Sequence, residues 1–191
     1  PCNPSGSVYN KEEMTALAKV LMKYPNVYVV SDEIYEHINF SGTFCSIASI
    51  EGMFDRTITV NGVAKAFAMT GWRIGYIGAP EFIAKACTKM QGQVTSGANS
   101  IAQRATIAAV DANPTVLNDM VAAFKKRRDL VLMLMNEIPN IKVNTPEGAF
   151  YVFPDVSYYF GKTLRGKQIN NADDFAMYLL SEANVATVTG D

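Results

Sequence analysis

The sequence predicts an α/β fold built on a mostly parallel sheet, followed by a smaller α+β part. Three observations carry that expectation. The short runs "VYVV", "TITV" and "IGYIGA" are rich in β-branched and apolar residues, and they read as strands buried on both faces, the habit of parallel sheets. The segments around them repeat apolar residues at helical spacing. After Pro139 the style changes to short β-like runs around Pro and Gly, a polar loop and one more helix. The boundary between the two parts is expected near residue 113, where "NP" interrupts the helical pattern.

Taken in order, the first helix follows Asn10, with apolar residues at Met14, Leu17, Ala18, Leu21 and Met22. Asn10 and Glu13 have the spacing of a capping box. The strand in "NVYVVSDE" ends in acidic residues, and "RTITVNG" and "RIGYIGAP" read as two more of the same kind. Pro80 and Glu81 open a helix through "EFIAKACTKM", since proline suits a first turn. "NSIAQRATIAAVDA" is an alanine-rich helix suited to close packing, and a long helix runs from Thr115 to Ile138 with its "KKRRD" as a solvated face. "IKVNTPEGAFYVFPDV" suggests two short strands around a turn, residues 171 to 184 a helix, and "VATV" a last strand.

The composition narrows the partners. Lys+Arg is 17 against Asp+Glu 18, a balance that points to neither nucleic acid nor an anionic membrane. No apolar run approaches the roughly 18 residues that suggest a membrane span. Cys2, Cys45 and Cys87 are odd in number and widely spaced, and His37 is the only histidine. That fits neither a disulfide framework nor a zinc site, and reduced thiols in a cytoplasmic protein are expected. The chain starts without methionine and stops just after the expected strand "VATV", so it is expected to be a piece of a longer protein.

Open parallel sheets place ligands outside the carboxyl ends of their strands. Asp32 and Tyr35 follow "VYVV", Lys65 sits in the loop after "TITV", and Arg73 comes just before "IGYIGA". Asn3 lies in the "NPSG" turn before the first helix. Alone, each has an ordinary reading: Asp32 as a helix cap, Lys65 as a surface lysine, Arg73 as an ion-pair partner, "NPSG" as a turn. Lys65 and Arg73, however, are the only charges in "VNGVAKAFAMTGWRIGY", and cations in so apolar a stretch are costly unless each has a task.

With these segments in view, the sequence resembles the class I/II, fold-type I, pyridoxal-phosphate-dependent aminotransferases, and among them the bacterial aspartate aminotransferases. "NPSG" is similar to the family's NP-[ST]-G turn, "SDEIY" to its acidic-plus-tyrosine element, and "GVAKAFAMTGWRIG" to its cofactor-lysine signature with Lys and Arg eight apart. "YVFPDVSYYFG" and "DDFAMYLLSEANVATVTGD" resemble its C-terminal domain. The resemblance implies a PLP transferase fold. Residues 1–113 would be the C-terminal half of the large PLP-binding domain, and 114–191 an incomplete small C-terminal domain. It implies pyridoxal 5′-phosphate as cofactor, an amino acid (aspartate) and 2-oxoglutarate as substrates, and a homodimer. Lys65 would bond the cofactor covalently and act as the catalytic base. Asp32 would face the ring nitrogen, Asn3 and Tyr35 the ring 3-oxygen, and Arg73 the phosphate. Many relatives carry a hydroxyl three before or one before the lysine, where this chain has Gly62 and Ala64, so phosphate binding should lean on Arg73. The phosphate turn, stacking aromatic and substrate arginine of the family fall outside this chain, which is expected to be inactive alone. A carbon–sulfur lyase or another pyridoxal enzyme of the same fold would share the same residues, and the alternative from a different class is an aminotransferase-like ligand-sensing domain of a transcription regulator.

Overall fold

The computed structural model describes residues 1–190. Asp191, the last residue of the C-terminal resemblance, lies outside them. Helix α1 (Lys11–Leu21) starts where the capping box puts it. Asn10 Oδ1 accepts the Glu13 N–H and the Glu13 carboxylate accepts the Asn10 N–H, both at 2.9 Å, so two otherwise orphaned donors are satisfied reciprocally. Its apolar stripe packs Ala18 against Ile47 and Met53, with Met14, Leu21, Val29 and Ile50 around them. The Arg56 guanidinium holds the turn that follows by donating to the carbonyls of Tyr24 and Val27.

Three strands form the main sheet: β1 (Val29–Asp32), β2 (Thr57–Asn61) and β3 (Tyr76–Gly78), in that order. β1 and β2 are parallel, with Val29 opposite Thr57 and Asp32 opposite Val60. Their carboxyl ends therefore lie side by side, which is what places the site. β3 departs from the expected parallel, buried strand. It runs antiparallel to β2, with Asn61 opposite Tyr76, and all three of its residues are exposed. The reason is the connection: residues 62–75 hold no α-helix to carry the chain back to the start of the sheet, as a parallel crossover requires. β1 too is only half-buried.

Helices α2 (Glu81–Val94) and α3 (Ser100–Val110) follow, the second capped by Asn99. Pro80 is the N-cap of α2 rather than its first helical residue. A 3₁₀ turn, Pro114–Leu117, leads into α4 (Asn118–Asn136). The "KKRRD" segment of α4 is not wholly solvated. Arg128 turns inward, with its guanidinium 4.9 Å from the Phe40 ring centroid and donating to the Pro146 carbonyl at 2.9 Å, because an arginine stem can lie on apolar surface while its head is satisfied.

The two strands expected in 141–156 reduce to a single bridge between Lys142 and Asp155. The residues between them pair elsewhere: Glu147 and Gly148 donate to the Gly6 carbonyl, and Ala149 donates to Ile38. The loop read as polar contains a hairpin, β4 (Lys162–Leu164) with β5 (Lys167–Ile169). It turns through Arg165 and Gly166, both at positive φ, the conformation favoured in two-residue hairpins. Helix α5 (Ala172–Ala183) is capped by Asn171. "VATV" is not a strand, since among the described residues no neighbouring strand pairs with it, and Val188 is 95% exposed. A second core cluster joins Tyr35, Ile38 and Ala149 with Ile34, Phe40, Met120, Phe124 and Tyr151, packing the 34–40 segment that follows β1 against α4 and the 149–151 segment.

Candidate active site

Asp32 closes β1 with an exposed carboxylate. Its Oδ1 accepts the Ile34 N–H at 3.2 Å, an Asx-type turn that holds the side chain at the strand end, and its Oδ2 makes no hydrogen bond among the described residues. The neighbouring Glu33 points the other way, as strand alternation requires. It is buried, and its Oε1 accepts from Ser31 Oγ at 3.0 Å and Ser46 Oγ at 2.6 Å. This anchor was not foreseen, although two consecutive acids at a strand end signal that one must face inward.

Tyr35 sits one turn on, buried, in a turn held by Glu36 N–H to Glu33 and Ile38 N–H to Tyr35 bonds of 2.9 Å. Its ring meets Phe150 and Tyr151 edge-on, with centroids 5.4 and 5.7 Å away. Its hydroxyl is 2.5 Å from the Tyr151 hydroxyl. Burial above all, with the nearby Asp32 charge acting the same way, raises the Tyr35 phenol far above its ordinary value, so it stays a neutral O–H. Tyr151 was missed in the sequence, where nothing marks it apart from its aromatic neighbours.

Lys65 projects from the loop after β2, whose Val63 and Ala66 are buried and whose turn is closed by Ala68 N–H to the Lys65 carbonyl at 3.2 Å. The amine lies 5.7 Å from the Tyr35 ring centroid and 5.5 Å from that of Phe150. Among the described residues no carboxylate pairs with it. The glycine three residues earlier is a packing necessity: a Cβ on Gly62 would stand 2.9 Å from the Ile74 carbonyl oxygen and 3.2 Å from Gly75 Cα. No hydroxyl side chain fits there as the backbone stands.

Arg73 stands near the other end of the same loop in the left-handed region, φ 55°. One guanidinium nitrogen, Nη1, donates to the Thr70 carbonyl at 2.9 Å, leaving the remaining donors exposed. Asn3 is exposed, and its side chain makes no hydrogen bond among the described residues. Its turn is closed by the Gly6 N–H to Cys2 bond at 2.8 Å, and the Gly6 carbonyl accepts from Glu147 and Gly148. That docks the "NPSG" turn beside the segment carrying Phe150 and Tyr151. Asp32, Tyr35 and Lys65 thus converge directly, while Asn3 approaches through backbone contacts and Arg73 flanks the loop.

The family model described as aminotransferase class I and II matches residues 1–191. The chain belongs to that family. It is 47% identical to the bifunctional aspartate aminotransferase and glutamate/aspartate-prephenate aminotransferase of Petunia hybrida, over all of this chain and 41% of that protein. It is 45% identical to the aspartate/prephenate aminotransferase of Cereibacter sphaeroides, over all of this chain and 48% of that protein. Among solved structures, the aspartate aminotransferase of Rhizobium meliloti superposes with a TM-score of 0.93 at 42% identity, covering 98% of this chain and 48% of that one. The aromatic aminotransferase of Pyrococcus horikoshii gives 0.90 at 36%, covering 100% and 49%. The chain therefore spans about half the length of these relatives. Members of the family depend on pyridoxal phosphate, and the donor set fits it: an amine without an acidic partner, a carboxylate oxygen free at a strand end, a neutral phenol and a guanidinium with donors to spare.

Proposed function

We propose that the whole protein transfers the amino group of L-aspartate to 2-oxoglutarate, using pyridoxal phosphate held by the residues above. The observation that carries this reading is the convergence of Asp32, Tyr35 and Lys65 at the adjoining carboxyl ends of β1 and β2, together with the relatives' names. Bound there, the cofactor supplies an electron sink for the bonds at the amino acid's Cα. Asp32 holds a proton on the ring nitrogen, since an opposite charge within hydrogen-bond reach favours the charged ring. Tyr35 and Asn3 donate to the ring 3-oxygen. Arg73 grips the phosphate, where a guanidinium can make two parallel hydrogen bonds. Lys65 would hold the cofactor covalently through its amine, and as a free amine would take the proton from the substrate Cα as a general base.

The protein works as a homodimer in the cytoplasm, and the boundary near residue 113 divides its cofactor-binding part from its smaller C-terminal part. Several relatives carry prephenate in their names, which supports prephenate, an oxo acid, as a second amino acceptor for this site. The test is an amino-transfer assay on the whole protein with aspartate as donor and 2-oxoglutarate or prephenate as acceptor. Turnover with at least one acceptor that disappears in Lys65→Ala is expected. Turnover unaffected by Lys65→Ala, or release of pyruvate and sulfide from cysteine without amino transfer, contradicts the reading.

A further inference from the structure

We propose that Tyr151 is a positioning residue for Tyr35: its hydroxyl fixes the Tyr35 phenol and strengthens it as a donor to the cofactor's 3-oxygen. This rests on the cofactor reading given above. The two hydroxyl oxygens are 2.5 Å apart, at the short end of the O–H···O range. Two phenols sharing one hydrogen bond leave one O–H proton unused. When Tyr151 donates, Tyr35 keeps its own proton for another acceptor, and a hydroxyl whose oxygen already accepts a bond is a better donor.

The surroundings give Tyr35 no other partner for this. Asp32 faces it as a charge, Lys65 lies 5.7 Å from its ring centroid, and Phe150 offers an apolar ring. Among the described residues only Tyr151 hydrogen-bonds the phenol. The placement of Tyr151 is fixed from both sides. Ala149 N–H donates to the Ile38 carbonyl at 2.7 Å, three residues beyond Tyr35, and Gly148 N–H donates to Gly6 at 3.0 Å. The same backbone pairings that dock the 146–151 segment therefore set the distance between the two hydroxyls. The Tyr151 ring also packs beside Phe150, with centroids 4.8 Å apart, so the hydroxyl can be removed while the ring keeps its place.

The experiment uses the whole protein loaded with pyridoxal phosphate and follows the pH titration of the bound cofactor's visible absorption band. A donor to the 3-oxygen steadies its negative charge and lets the chromophore lose its proton more readily. Tyr151→Phe should raise that apparent pKa by about 0.5–1 unit, the size of one hydrogen bond. Tyr35→Phe should raise it more, and adding Tyr151→Phe to Tyr35→Phe should change nothing further. An unchanged titration in Tyr151→Phe overturns the proposal, even if its melting temperature drops, and assigns Tyr151 to packing alone. An equal shift with and without the Tyr35 hydroxyl also overturns it, because Tyr151 would then act by another route. Borohydride reduction of the unsubstituted protein separates the two readings. A cofactor adduct on Lys65 with unchanged titration sinks this inference only, whereas no adduct on Lys65 removes the cofactor reading and this inference with it.

Discussion

At the scale of single residues, Asp32 and Tyr35 make opposite electrostatic contributions, and each can be tested. Asp32→Ala removes the exposed carboxylate at the end of β1. Loss of a charge at the ring nitrogen should lower kcat of the whole protein by on the order of 10²–10⁴-fold while its thermal melt stays close to that of the parent. Near-full turnover in a well-folded variant contradicts the role given to Asp32. For Tyr35 the sign follows from its raised value. An acid harder to ionise in the folded state binds more protons there, so its stabilisation is complete below its ordinary value of about 10 and declines as pH rises above it. Tyr76, raised by burial and by Glu36, acts in the same direction. Urea unfolding between pH 9 and 11.5 should show stability falling, and falling less steeply in Tyr35→Phe. Most residues of the site were legible in the sequence because they are chemically conspicuous: a lysine and an arginine in an apolar run demand a partner. Tyr151 and Glu33 were not, since their roles come from neighbours distant along the chain, Tyr151 above all.

At the scale of elements, local signals held where local physics decides. The Asn10 cap of α1 and the Asn171 cap of α5 follow from side chains within a few residues, and Asn10→Ala should cost about 1 kcal/mol in chemical denaturation. The direction of β3, the loss of the 141–156 strands and the inward turn of Arg128 depend on where distant segments go, which periodicity does not encode. The β4–β5 hairpin was hidden because its turn chemistry, Arg165–Gly166, sits in a stretch without an apolar pattern. Gly62 is the sharpest element-level test. Its missing side chain lets the Lys65 loop lie against Ile74 and Gly75 backbone, atoms that cannot swing aside as a side chain can. Gly62→Ser should therefore destabilise by about 1–3 kcal/mol, seen as a lower denaturation midpoint. A neutral or more stable Gly62→Ser means the loop can move and the packing argument is wrong.

For the whole molecule, apolar side chains outnumber the places that bury them. Val94, Ile101, Ile107 and Val110 of α2 and α3, with Val30 of β1, are each half or more exposed, a larger apolar display than isolated soluble domains tolerate. The chain of residues 1–191 by itself should self-associate, visible as light scattering that grows with concentration. It should show no measurable aspartate/2-oxoglutarate transfer, since it spans about half the length of its relatives. A clean, active monomer contradicts both statements. The central claim is that one lysine, held at the junction of β1 and β2 beside Tyr35, carries the cofactor. Its most direct test is borohydride reduction of the whole protein loaded with pyridoxal phosphate, followed by digestion and mass mapping of the modified peptide. The expected result is one phosphopyridoxyl adduct, on Lys65. An adduct found only on another lysine contradicts the account.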